Sequence, residues 1–400
     1  MQTVRMIGCA SIALVATFTL SSCGSSITGS PTAAEIDVRK LDTGGYSSDP
    51  AYMHFDPTPS LEITKQLAAM RLLNHVANGT EIDPSLTYNT ASEITDPYDK
   101  FESEGLPTNF RDILKNNEML YGVEAGKKQN ESSDPQDGDK FVGLTIYQFP
   151  TPDAAQTANS ALEAADFSIA GDQNEKVQLE KYPEALTHWR PGIRTIGSRL
   201  TVGSYVLRVF TRAPKANLPD LKAQLQRIFD VQVPMLEKLP ALSKREILHL
   251  PHDPEGVHRI AFAPDYLLDG PSLSVDASLT GHGAINMTGP FGEKLIEEGH
   301  VDAVGTRVVD GTTLWRSSDN AGADAVVEKF RQQVKQPIAP PKGVPDSFCD
   351  EADMSKEIFT DHRYRCVVRY RQYVARVSGP QIADAQQRAA AQYAILANSW

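Results

Sequence analysis

Basic residues and cysteines are what this chain is short of. Thirty-nine Lys and Arg face fifty-one Asp and Glu, for a formal charge of −12. Nucleic acid is a poor partner for such a chain, because its phosphates demand clustered cations. Four cysteines in 400 residues are too few for a disulfide-dense scaffold. The familiar hydrolase signatures are missing too: no Gly-x-Ser-x-Gly, no Ser-x-x-Lys, no His-Glu-x-x-His and no phosphate-cradling glycine loop. Gly281-His282-Gly283 and Gly289-Pro290-Phe291-Gly292 are glycine-rich but lack the strand-to-helix context of such a loop. Asp42-Thr43-Gly44 copies the aspartic-protease triplet, yet those enzymes need two carboxylates sharing one proton, and no second Asp-Thr/Ser-Gly occurs. A turn at Asp42 and Gly44-Gly45 is the simpler reading. These absences leave no cofactor to assign. They favour a non-catalytic role, with an exported hydrolase of unadvertised site as the alternative.

What is present begins at the amino terminus. Arg5 supplies a short positive region, and Met6 to Leu20 form an apolar stretch interrupted only by small or hydroxyl side chains. A bilayer takes about 20 apolar residues to span, so residues 1–22 read as a signal peptide removed on export. Leu20-Ser21-Ser22-Cys23 resembles the lipobox of bacterial lipoproteins, whose cysteine receives diacylglycerol. That resemblance implies a lipidated Cys23, bearing fatty acyl chains such as palmitate, and an extracytoplasmic protein anchored to the cell membrane. Acyl chains hold with about 0.8 kcal/mol per buried methylene. Residues 23–36 are small and polar, a flexible tether by composition. Cys349 and Cys366 are then left as an even pair in an exported chain, where a disulfide is the default. A thiol or metal site with His362 is the alternative.

The mature chain carries an internal repeat. Tyr205-Val206-Leu207-Arg208-Val209 matches Tyr373-Val374-Ala375-Arg376-Val377 at four of five positions, 168 residues on. The surroundings line up at the same offset. Phe141 to Phe149 is β-rich and leads into a helical pattern over Asp153 to Phe167, as Thr312 to Arg316 leads into Asp319 to Val334. Hairpins follow, at Gly203-Ser204 and between Tyr370 and Tyr373, and then helices over Asn217 to Leu236 and Gln381 to Ala397. The spacing predicts a duplicated β-β-α…β-β-α unit. The fold class expected is α+β, two related domains of antiparallel hairpins with helices packed on one face. Lys127 to Lys140 reads as a polar hairpin tip, and a helix is expected over Leu61 to Asn78 with Ser60 as its N-cap. Pro234, Pro240, Pro251 and Pro254 break regular structure between the copies. The domains are therefore expected at 37–240 and 255–400, the second holding the disulfide.

Asp37-Val38-Arg39-Lys40-Leu41-Asp42-Thr43-Gly44-Gly45-Tyr46, soon after a lipobox cysteine, resembles lipoproteins of mycolic-acid-bearing actinobacteria. Those combine an uncharacterised amino-terminal domain with a related two-cysteine carboxy-terminal domain. The resemblance implies a cell-envelope location and no assigned chemistry. Two further clusters stand out. His249, His252 and His258, with Asp253 and Glu255 among them, are the densest metal-type grouping, although a solvated loop explains them as well. Arg363, Arg365 and Arg369 alternate along the strand through Cys366 and could face an anionic partner, unless they simply form a solvated sheet face. The functional expectation is binding of an envelope lipid, glycan or protein partner in a groove between the two domains.

Overall fold

Two antiparallel sheets carry the fold, and both are built to one plan. The computed structural model describes residues 36–51, 60–90, 92–96, 109–132, 138–264, 271–355 and 359–399. The segment read as a signal peptide, Cys23 and nearly all of the segment read as a tether lie outside the described residues. The first sheet comprises β1 (Tyr88–Asn89), β2 (Glu93–Thr95), β3 (Tyr121–Lys128), β4 (Phe141–Gln148), β5 (Glu175–Val177), β6 (Leu186–Trp189), β7 (Thr195–Val202) and β8 (Tyr205–Arg212). The second comprises β9 (Asp276–Thr280), β10 (Val301–Arg307), β11 (Thr312–Ser317), β12 (Pro337–Ile338), β13 (Phe348–Glu351), β14 (Tyr364–Tyr370) and β15 (Tyr373–Gly379). The first is ordered β1-β3-β4-β8-β7-β6-β5, with β2 also on β3; the second is ordered β12-β13-β14-β15-β11-β10-β9.

Read from the same end, β3-β4-β8-β7-β6-β5 and β10-β11-β15-β14-β13-β12 are one strand order written twice. The registers agree as well. Gln148 pairs with Tyr205 where Arg316 pairs with Tyr373, and Arg199 pairs with Arg208 where Val367 pairs with Arg376. The helices that follow start in step. Thr151 caps α4 (Pro152–Ser168) by accepting from the Ala154 N–H, and Asp319 caps α9 (Asn320–Arg331) through the Gly322 N–H. The remaining elements are α1 (Leu61–Leu73), α2 (Gly79–Ile82), α3 (Phe110–Asn116), α5 (Leu218–Glu237), α6 (Lys244–Leu248), α7 (Gly281–Ile285), α8 (Pro290–Glu298) and α10 (Ile382–Ala397). The class is α+β.

Several local expectations need correcting. Helices cover both faces of each sheet rather than one. In β8, Leu207 and Val209 meet Leu221, Leu225 and Phe229 of α5, whereas Val206 meets Ala158 and Leu162 of α4. A strand apolar on both sides needs both faces covered. Pro234 lies inside α5 and does not end it. The repeats are also not separate bodies, because Val38–Trp400 forms one compact unit with a core running through both sheets. The opening segment, expected in the first domain, lies along the second. Tyr46 bonds Asp384 on α10 and sets its ring edge-on to Phe262, with centroids 5.1 Å apart. Asn398 donates to the Ser48 carbonyl at 2.8 Å, and the Ala51 N–H donates to Arg259 at 2.8 Å.

Cys349 and Cys366 are directly opposite in β13 and β14 and form the disulfide, their Cα atoms 4.1 Å apart. Both are buried beside the end strands of the sheet. A Cys349→Ala/Cys366→Ala double variant should unfold in urea with stability lower by about 3 kcal/mol, the loop-entropy value for a crosslink of this span. Wild-type stability in that variant would mean the β13–β14 pairing needs no crosslink.

Candidate functional site

Helix α1 touches both sheets, packing against β3 of the first and β9 of the second. It starts where the sequence says, with Ser60 capping the Ile63 N–H, but it stops at Leu73 rather than at Asn78. The next residues give their backbone groups to other parts of the chain. Asn286 donates to the Val76 carbonyl at 2.9 Å, and Gln232 accepts from the Ala77 N–H and donates to the His75 carbonyl at 2.9 and 2.8 Å. Asn74 accepts from the Thr280 N–H at 3.1 Å. Gly283 makes that approach possible: a Cβ there would sit 1.9 Å from the Asn74 side-chain oxygen. The glycines around His282, unexplained in the sequence, are thus a docking surface for the end of α1.

Lys127 closes this seam. Expected from the sequence in a polar loop, it lies instead near the end of β3 and fully buried, donating to Asn89 at 3.1 Å and to the Asn286 side chain. Burial pushes its ammonium down to about 7, with the Glu81 and Glu293 carboxylates opposing that fall. Burial also raises the Glu81 carboxyl, but the His282 ring at 3.1 Å and the Asn78 N–H outweigh it and leave the net shift downward. Glu293 accepts from the Thr80 hydroxyl at 2.5 Å. No sequence signal marks Lys127, since a lysine at a strand end beside a polar loop reads as exposed.

Beside the seam lies a groove of about 500 Å³, walled by α1, by the connector after α6 and by β9. Leu67, Met70, Leu250, Pro251 and Pro254 make it mostly apolar, while Arg71, His75, Ser278 and Thr280 supply polar groups. Arg71 donates to the Pro240 carbonyl at 2.9 Å through Nη2, and its buried Nη1 has no partner. Burial lowers the His75 pKa, so the ring is neutral at pH 7; with Nδ1 on the Arg71 carbonyl at 3.0 Å, Nε2 is left as an acceptor. The groove can hold an elongated apolar group and offer a guanidinium and an imidazole to a polar head.

The residues singled out from the sequence fare unevenly. The three histidines do not converge, and no group of three or more His, Cys, Asp or Glu suited to a metal occurs among the described residues. Asp253 is occupied by the Val257, His258 and Arg259 N–H groups and by the Ser278 hydroxyl. His258 is buried and pushed down to about 3 by burial, then by Arg307 and His252, which keeps it neutral. His249 is exposed, with Nδ1 on the Arg245 carbonyl at 2.7 Å. The arginine stripe is neutralised internally: Arg363 by Glu351, Arg365 by Asp350 and Arg369 by Asp324. Asp42 and Gly44 form the turn, the Asp42 side chain accepting the Gly44 N–H at 3.1 Å. Cys23 lies outside the described residues.

Lys127 supplies a test of the seam. Its depressed pKa means that between about 10.5 and 7 the unfolded chain holds a proton the folded chain has shed. Its contribution to stability is therefore lost as pH falls through that window. Relative to Lys127→Met, wild-type stability should rise by up to about 1.4 kcal/mol per pH unit above pH 7. Urea unfolding of both proteins from pH 7 to 9.5 checks this; parallel curves would mean Lys127 stays charged in the fold.

Comparison with known proteins matches no curated protein. Among solved structures the chain is similar to the extracellular domain of PknH from Mycobacterium tuberculosis, at 13% identity and a TM-score of 0.29, covering 42% of this chain and 95% of that one. No helix among the described residues is long and apolar enough to cross a membrane. Two family models match in sequence order, the domain of unknown function DUF7373 N-terminal over residues 55–252 and the DUF7373 C-terminal domain over 279–399. The chain belongs to the DUF7373 family, carrying both its amino-terminal and its carboxy-terminal domain.

Proposed function

We propose that this protein is a lipid-anchored cell-envelope protein that binds, without turning over, an amphipathic envelope ligand in the groove between its two repeats. The observation that carries the proposal is the groove itself: about 500 Å³, mostly apolar, with Arg71 of α1, His75 just past its end, and Asn74, Glu255, Ser278 and Thr280 as its polar groups. Ligand sites of this size, lined by apolar side chains with a few polar groups, favour junctions between structural units. The lipobox-like Leu20-Ser21-Ser22-Cys23 and the polar tether support a location where lipids and wall glycans are at hand.

Two outcomes are expected. Protein purified from its own envelope should carry a bound lipid or glycolipid in native mass spectrometry, and Leu250→Trp, which fills the groove from its half-buried wall, should lose it. Hydrolysis of envelope esters that disappears in a folded His75→Ala variant would replace binding by catalysis. Cys23→Ala should abolish metabolic labelling with fatty acid; label retained on that variant would sink the anchor.

A further inference from the structure

A second cavity, of about 230 Å³, lies on the α4 side of the first sheet, past the carboxy-terminal end of that helix. Its floor is the face of β6, β7 and β8 that carries His188, Gly197, Arg199, Arg208 and Phe210, and its outer wall is the Trp189–Ile193 turn. Arg199 is almost wholly buried, held by Glu163 at 2.6 Å and by Asp166. Glu163 also takes His188 Nδ1 at 2.7 Å, so one carboxylate orients both the guanidinium and the imidazole. Arg199 Nε is buried with no partner. Arg190 and Arg208 line the cavity half-buried, and neither has an ion-pair partner among the described residues. Unpaired guanidiniums gathered in a chain of net charge −12 are not a solvation device, since carboxylates are in surplus.

The repeat provides an internal control. Arg199 pairs with Arg208 in the first sheet, and the equivalent pair in the second is Val367 with Arg376. Glu163 corresponds to Arg331, which stacks on Phe348 with its guanidinium 4.5 Å from the ring centroid. Arg376 lies over the Phe330 ring at 5.7 Å. Val367 thus stands where the first repeat has Arg199, and Arg331 where it has Glu163, so the fold does not require that buried ion pair; Arg208 keeps an arginine counterpart in Arg376, which is stacked on Phe330 instead of lining a cavity. The end of α4 is no obstacle to an anion. The Asp166 carbonyl accepts the Ile169 N–H, the Phe167 carbonyl accepts the Asn174 side chain, and the Ala170 carbonyl accepts the Gln173 and Asn174 N–H groups.

We propose that this cavity is a binding site for the phosphate group of a small phosphomonoester, clamped by Arg190 and Arg208, with its organic part against Trp189 and the half-exposed Phe210. Guanidinium forks match phosphate oxygens bidentately, and two unpaired forks plus the free Arg199 Nε suit three phosphate oxygens better than the two of a carboxylate. The volume lies below that of drug-sized ligand sites, which limits the organic part to about one ring or a short chain. The site is separate from the groove beside α1, and each stands or falls alone.

Isothermal titration of the full chain with glycerol 3-phosphate, glucose 1-phosphate and inorganic phosphate tests the proposal. Vesicles of phosphatidylcholine with one-tenth phosphatidic acid form a parallel arm. Binding of a soluble ester identifies a free metabolite, and binding of the vesicles alone identifies a lipid headgroup; either supports the site if Arg208→Gln weakens it at least tenfold and Arg190→Gln/Arg208→Gln abolishes it. Arg376→Gln, the same change in the second repeat, should leave affinity unchanged, and thermal unfolding should show all variants folded. No binding in any arm, equal loss in Arg376→Gln, or tighter binding of glucuronate than of the phosphates would overturn it.

Discussion

The stretch from Leu73 to Asn78 governs how the halves of this protein meet. The Asn74, His75 and Val76 N–H groups turn back onto the end of α1, but the His75 and Val76 carbonyls and the Ala77 N–H have no such local partner, and buried peptide groups must be satisfied somewhere. They are satisfied by side chains: Asn286 from the second repeat, Gln232 from α5, and Asn74 reaching to the start of α7. Asn286 and Gln232 are fully buried, Asn74 is half-buried, and all three are committed, so α1 has one position against both sheets. The groove beside it inherits that position. Lys127 sits at the centre of this arrangement as a buried amine hydrogen-bonded to two asparagines, its charge opposed by burial and favoured by Glu81 and Glu293. Breaking one partner of such a network leaves another unpaired and costs more than any one bond contributes.

The duplication gives the two halves a shared skeleton and different interiors. Where the first repeat buries Arg199 against Glu163 and Asp166, the second places Val367 among Trp315 and Phe330. The charged version keeps a cavity over β6–β8, and the aromatic version contributes to the common core. A buried guanidinium with two carboxylates is at best neutral for stability compared with apolar packing. Its presence in only one copy therefore points to a use outside folding.

Much of the fold was legible in the sequence. The residues around Tyr205 and Tyr373 alternate as strands must, their hairpins turn where glycine or a short polar pair allows, and α4 and α9 begin at capping side chains. The disulfide partners followed from parity and the expectation of export. The sites were not legible in the same way. The histidines near residue 250 looked like metal ligands but do not converge: His249 is exposed on the Arg245 carbonyl, His258 is buried, and Asp253 is taken up in organising its own loop. Arg363, Arg365 and Arg369 looked like a free cationic stripe, but neighbouring carboxylates on β13 and α9 neutralise them.

By itself the sequence determined the secondary elements, the doubling of the β-β-α unit and the pairing of Cys349 with Cys366, since all three depend on local periodicity, capping or simple counting. Only the tertiary structure decided that α1 ends at Leu73, that Lys127 is buried, that Tyr46 belongs to the second repeat and that Arg190 and Arg208 share a cavity. Those outcomes depend on residues far apart in the chain competing for the same buried hydrogen bonds and charges, and no local pattern encodes which of them will meet.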